Sequence, residues 1–185
     1  MTKKAFLLLL FCIFILCSCS IQDRKDEENV HLTPKEPTLR LKIAVLENMQ
    51  YPPINNVIYV PTNLKELSDT KDQQLDGLII SKENFEEAAK LEYRDYFKNI
   101  DYPVFFLDSG NITVPFFYGD GDPLGVKREY SPGLPYASGF VLAKNKEYKN
   151  WDLYLPNDPN ARDKNLNLLI RICNIIQEYK LYKVN

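Results

Sequence analysis

Four short apolar runs constrain this chain more than any other feature of it: Leu41 to Leu46 (LKIAVL), Val57 to Val60 (VIYV), Leu75 to Ile80 (LDGLII) and Val104 to Leu107 (VFFL). They are rich in β-branched or aromatic residues and nearly continuous rather than alternating. A strand with one face in water alternates with period two. A strand covered on both faces has no need to, and parallel sheets are covered on both faces by their own crossovers. The pattern predicts a mostly parallel sheet.

The connections agree. Pro61 to Gln74 has room for a short helix near Asn63 to Asp69, with Thr62 as its N-cap. Ser81 to Tyr102 has room for a longer one. Ser81 stands in the capping position, Glu83, Glu86 and Glu87 suit the positive end of the helix dipole, and Phe85, Ala89, Tyr96 and Ile100 keep close to one face. Crossovers of this length predict right-handed βαβ units. The first connection, Glu47 to Asn56, is too short for a crossover helix and contains Pro52-Pro53. Either the first strand is antiparallel or its return is an irregular loop.

Beyond Leu107 the character changes. Thr113 to Tyr118 (TVPFFY) and Ser138 to Ala143 (SGFVLA) read as strands, the first at an edge because Pro115 has no N–H to give a ladder. Between them Gly119 to Ala137 reads as a long loop, and long loops in compact domains are commonly functional or disordered. The stretch from Trp151 (WDLYLP) reads as packed loop. Asp163 to Tyr182 reads as an amphipathic helix, with Leu166, Leu169, Ile170, Cys173 and Ile176 on the face that closes the core. The expected architecture is one small α/β domain over residues 38–185: a mixed, mostly parallel sheet, flanking helices and a C-terminal amphipathic helix.

A different kind of segment precedes it. Lys3 and Lys4 lead into an uninterrupted apolar run, Ala5 to Leu16, and a polar tract follows from Ser20 to Pro37. The run is shorter than the roughly 20 residues that span a bilayer, and the layout is that of a secretory signal peptide. It ends in Leu16-Cys17-Ser18-Cys19, which resembles the lipobox of bacterial lipoproteins. Cys17 stands where that family more often has Ala, Ser or Thr. The resemblance implies that residues 1–18 are removed and that the Cys19 thiol takes a diacylglycerol. The new amine takes a further acyl chain such as palmitate. The product would then sit on the extracytoplasmic face of a bacterial cell membrane. One acyl chain holds only marginally, at about 0.8 kcal/mol per buried methylene, whereas two or three anchor stably. Residues 19–37 are then a lipidated, disordered tether: charged, with two prolines and few aliphatics.

Several function classes lack support. Basic and acidic residues number 23 and 25, so no basic excess favours nucleic acid, and no nucleic-acid partner is expected. The single histidine, His31, lies in the tether, where a general base could not be held against a substrate. Once the leader is removed and Cys19 acylated, Cys173 is left without a disulfide partner, inside an apolar helical pattern, and no CxxC or Cys/His cluster suggests zinc. No GxGxxG or GxxxxGK[ST] follows a strand, and no cofactor is expected. The Tyr and Phe load reads as core and half-exposed sheet packing.

Ligands of open α/β sheets favour the carboxyl ends of the strands. Here those ends carry Glu47-Asn48, Thr62-Asn63, Ser81-Lys82 and Asp108-Ser109, residue types that caps and turns also use. From these, Glu47, Asn48, Thr62, Ser81, Asp108 and Ser109 are the candidate ligand-binding residues. "LDGLIIS" followed by "YPVFFLDSG" resembles one lobe of the periplasmic sugar-binding proteins and related repressors, over Leu75 to Ser109. The matching residues are Asp76, Gly77, Leu78, Ile79, Pro103, Val104 and Asp108, and the resemblance implies a ligand role for Asp108. There is room for one such lobe only, and the first crossover helix is missing. Asp120, Asp122, Lys127, Arg128, Tyr130 and Tyr136 in the long loop are the candidate partner-binding residues, because interaction surfaces favour Tyr and Arg. Asp120 and Asp122 fall short of a calcium loop, which needs further oxygens at fixed offsets and no metal is expected. The reading is a lipid-anchored, non-catalytic binding or protein-interaction module, bound to the membrane and to a small ligand or an envelope protein. Two other classes stay open: a small carboxylate-dependent hydrolase acting on envelope or extracellular material, and a structural or inhibitory envelope protein.

Overall fold

The apolar runs become neighbouring strands in the computed structural model, which describes residues 33–46, 50–70, 74–110, 133–143 and 147–184. Cys19, Glu47, Asn48, Asp120, Asp122, Lys127, Arg128, Tyr130, the expected leader and the expected strand Thr113 to Tyr118 lie outside the described residues. The strands are β1 (Leu41–Leu46), β2 (Val57–Thr62), β3 (Gly77–Ile80), β4 (Val104–Leu107), β5 (Ala137–Leu142) and β6 (Tyr148–Leu153). They form one sheet in the order β2-β1-β3-β4-β5-β6. The first four are mutually parallel, and β5 and β6 add as antiparallel neighbours. This is a mixed, mostly parallel sheet with helices on its faces, a small α/β domain.

β1 and β2 are parallel, Leu41 opposite Val57, so the antiparallel alternative for the first strand is wrong. The return is irregular, and a left-handed turn residue makes it possible. Asn56 has φ 64°, a conformation Asn tolerates better than most residues. Its carbonyl accepts from the Leu41 N–H (2.8 Å), and its side chain donates to the Pro37 carbonyl (3.0 Å).

The later crossovers carry helices. α1 (Leu64–Asp69) joins β2 to β3, and two short pieces, α2 (Phe85–Ala88) and α3 (Arg94–Asn99), join β3 to β4. The N-cap of α1 is Asn63, not Thr62: Asn63 Oδ1 accepts from the Glu66 N–H at 2.9 Å. Thr62, the last residue of β2, donates its hydroxyl to the Glu66 carboxylate instead. The single helix expected over Ser81 to Tyr102 is broken. Lys90 is extended (ψ 143°), and Glu87 spans the break by bonding both Lys90 and the Tyr93 hydroxyl. WDLYLP is likewise partly strand: Trp151 to Leu153 end β6, whose polar outer residues hide it in the sequence.

The two faces have separate cores. On one, Leu64, Leu67, Phe85, Phe97 and Tyr93 pack on Leu78, Ile80, Phe106 and Phe140. Ring centroids of Phe85, Phe97 and Phe140 lie 5.6 to 6.1 Å from that of Phe106. On the other, α4 (Leu168–Val184) lays Leu169, Cys173 and Ile176 over Leu41, Ile43, Val45 and Ile79. Ile54, from the irregular β1–β2 return, joins this second core.

That division follows from handedness. Stepping from β1 outward to β2, then back past β1 to β3, reverses direction, and right-handed crossovers then need opposite faces. The first return carries no helix among its described residues. α4 covers that face instead, from the far end of the sequence. It is fitted closely: a Cβ on Gly77 would stand 2.5 Å from Ile176 Cδ1. Gln177 Oε1 accepts from the Thr38 and Leu39 N–H groups, both at 2.7 Å. Asn174 Nδ2 donates to the Lys35 carbonyl (2.9 Å), so the domain also holds the chain on the N-terminal side of Thr38. Among the described residues no helix is long and apolar enough to cross a membrane.

Candidate functional site

β1 and β3 are neighbours whose outgoing connections leave to opposite faces, and ligands of open α/β sheets sit beyond the carboxyl ends of strands at such a point. A cleft of ≈ 400 Å³ opens there. Its strand-end wall is built by Ser81, Lys82 and Glu83 after β3 and by Leu107 and Asp108 at the end of β4. Tyr136 enters just before β5, which runs antiparallel and so begins at this edge. The facing wall is Gln50, Tyr51 and Pro52 from the β1–β2 return, with Lys164, Asn165 and Leu169 from the start of the C-terminal helix.

Asp108 is placed by its backbone. With φ 57° it turns the chain out of β4, and Asp is among the few side chains that adopt this conformation readily. Its Oδ2 meets Lys82 Nζ at 3.3 Å, with both side chains about one-third exposed (33% and 30%). Its Oδ1 is buried and has no hydrogen-bond partner among the described residues. Lys82 follows β3 and Asp108 follows β4, and the Ile80–Phe106 register carries them alongside each other.

Tyr51 stacks on Tyr59 of β2, ring centroids 5.2 Å apart. Both phenols are buried without a partner among the described residues. Burial pushes the Tyr51 hydroxyl well above the ordinary tyrosine range, and the nearby Glu83 carboxylate adds to the shift. Tyr51 is therefore a neutral donor and acceptor at neutral pH.

The helical wall is irregular. The chain turns helical at residue 161 and passes through a π-helical turn, Asp163–Asn167, before α4. Such turns recur at functional sites because they displace side chains from the α-helical register. Asn160 and Asp163 form a reciprocal cap, each accepting the other's N–H at 3.0 Å. The buried Asp163 also accepts from Asn167 Nδ2 (2.9 Å). Capping fixes this turn, and the turn sets Lys164 and Asn165 on the cleft.

Of the strand-end residues singled out in the sequence, Ser81 and Asp108 meet in the cleft. Ser81 does not cap; its Oγ accepts from Asn84 Nδ2 (2.9 Å). Ser109 is fully buried and does not line the cleft, but its N–H donates to the Tyr136 carbonyl (3.2 Å) and so holds Tyr136 beside β4. Thr62 stays away, buried at the end of edge strand β2. Tyr136, expected on a partner surface, lines the cleft. Tyr51, Glu83, Lys164 and Asn165 carried no sequence signal as site residues. Only the crossing of the β1–β2 return and α4 over one face brings them in.

Asp76 and Gly77, at the start of β3, lie at the opposite, amino edge. Asp76 Oδ2 accepts from the Lys42 N–H (2.8 Å) and from Lys180 Nζ (3.0 Å), so the Asp of the DGLI stretch seats α4 and β1. Among the described residues no group of three or more His, Cys, Asp or Glu could hold a metal ion.

The cleft offers two lysines, two carboxylates (one of them paired with a lysine) and two phenols, set among Gln50, Ser81 and Asn165 and the apolar Pro52, Leu107 and Leu169. That set can orient a small polar molecule. Set against family models, curated proteins and solved structures, the chain matches none of them.

Proposed function

We propose that the protein is a membrane-anchored, non-catalytic binding module: Cys19 carries the lipid, the polar stretch after it spaces the domain from the bilayer, and the strand-end cleft takes a small polar ligand. The lipobox resemblance of Leu16-Cys17-Ser18-Cys19 supports the anchor. One observation carries the binding role. Asp108 and Tyr51, from distant parts of the chain, converge on a ≈ 400 Å³ cleft with buried polar atoms that have no partner among the described residues. Leaving such atoms unmet costs about 1–3 kcal/mol each, a cost that sites built to bind tolerate and a ligand offsets. The volume lies within the roughly 300–1,000 Å³ of small-molecule sites.

Two experiments test this reading. Cells expressing the full chain are grown with a clickable palmitate analogue; label should enter the protein, and Cys19→Ala should abolish both label and membrane fractionation. The purified protein is then melted with sugars, amino acids, short peptides and nucleotides. A ligand at about 100 times its Kd stabilises by about 2.7 kcal/mol, a shift of several degrees for a domain this size. Asp108→Asn should shrink the shift. A protein that no class of small molecule stabilises would sink the binding role and leave the anchor standing.

A further inference from the structure

The charges of the cleft are divided between its walls. Asp108 and Lys82 stand on the strand-end wall, and Lys164 stands on the helical wall. Lys82 is occupied by Asp108 Oδ2, whereas Asp108 Oδ1 is buried with no donor. A carboxylate oxygen in that position wants a cationic donor, and an ammonium brings three N–H groups and the charge together. Lys164 is exposed, and it has no ion-pair partner among the described residues. It wants an anion.

The sum of the lining charges decides between ligand types. Lys82 and Lys164 balance Glu83 and Asp108. A ligand of one sign would leave one wall satisfied and the other facing a like charge. A neutral polyol could donate a hydroxyl to Asp108 Oδ1 but would bring no counter-charge to it or to Lys164. A molecule carrying both signs, a short distance apart, meets both walls at once. Leu107, Leu169 and Tyr136 supply apolar lining for a side chain.

Building on the reading of the cleft as a binding site, we propose that its ligand is a zwitterion of the α-amino acid class. The ammonium lies on Asp108 Oδ1, and the carboxylate lies on Lys164.

The test uses the purified full-length protein and calorimetric titration with individual free amino acids, then with the N-acetyl and carboxamide derivatives of the tightest binder. We expect saturable binding of at least one free amino acid. Acetylation of the amine and amidation of the acid should each weaken it about tenfold or more, equivalent to about 1.4 kcal/mol. The variants assign the walls. Lys164→Met should bind the free acid and the amide alike. Asp108→Asn should bind the free amine and the N-acetyl form alike. Both substitutions keep the local backbone, since Lys164 is exposed and Asn also adopts positive φ. Equal binding of blocked and free forms to the parent protein, or binding of neutral sugars alone, would overturn the zwitterion and leave the binding role intact. Binding of no amino acid, sugar, peptide or nucleotide would overturn both.

Discussion

Ile176 rests on the backbone of Gly77: a methyl group there would stand 2.5 Å from Ile176 Cδ1 and 3.0 Å from its Cγ1. The contact joins the first residue of β3 to the middle of α4, and any side chain at that position makes Ile176 shift. We expect Gly77→Ala to lower stability by about 1–3 kcal/mol, the usual cost of overpacking a core. Because the clash is with a side chain, Ile176→Val in the same protein should recover part of the loss. Urea titrations of the two single variants and the pair measure the coupling. Strict additivity would mean that the helix does not seat there.

Gln177 does a different job on the same helix. Its Oε1 is the acceptor for the Thr38 and Leu39 N–H groups and for the Thr38 hydroxyl (3.2 Å). Gln177→Met keeps the length and loses the acceptor. We expect a loss of about 1 kcal/mol, with much faster hydrogen exchange at the amides of Thr38 and Leu39. The Leu41 amide, bonded to Asn56 rather than to the helix, should keep its protection. Gln177→Glu retains the oxygen and should be nearly neutral.

At Asp108, backbone and side chain are separable. Its φ of 57° costs an ordinary side chain about 1–2 kcal/mol. The ion pair with Lys82 is partly solvated and contributes at most about 1 kcal/mol. Denaturant midpoints should therefore rank Asp108→Gly and Asp108→Asn close to the parent, with Asp108→Ala clearly below. If Ala matched Gly, the left-handed turn would be absent in solution.

Stability should fall at alkaline pH. Burial pushes the Cys173 thiol up to about 12, and burial also raises the phenols of Tyr51, Tyr59, Tyr96 and Tyr102. These acids stay protonated when folded. The unfolded chain ionises its thiol from about pH 8.5 and its phenols from about pH 10. Below those values the groups contribute their full stability; above them the unfolded state binds fewer protons and gains. The urea midpoint should hold near pH 7 and decline from about pH 8.5, more steeply past about pH 10. A thiol reagent should modify Cys173 only as fast as the domain opens. A midpoint flat to about pH 11 would mean the phenols are solvated.

Strand composition was readable because burial on both faces leaves a mark residue by residue. LKIAVL, VIYV and VFFL became strands within a residue or two of their apolar limits. β6 was not readable, because an edge strand whose outer residues are Tyr148, Lys149 and Asn150 resembles loop; only Trp151 and Leu153, two apart, face the core. The direction of β1 against β2 stayed open for another reason. It depends on one left-handed residue, Asn56, and on a covering helix more than a hundred positions away. The site divided along the same line. Ser81 and Asp108 sit where strand ends must be. Tyr51 and Lys164 reach the cleft through tertiary crossing alone, and nothing in local spacing marks them.

The borrowed helix also sets the order in which this chain can become a protein. The strands from β1 to β4 can pair as soon as they exist, but Leu41, Ile43, Val45 and Ile79 gain most of their cover only from α4. A nascent chain halted before α4 leaves much of that apolar face exposed, so completion of the core waits on synthesis of that helix. For a protein that must thread a membrane before folding, as the proposed anchor requires, this delay keeps the chain open for passage.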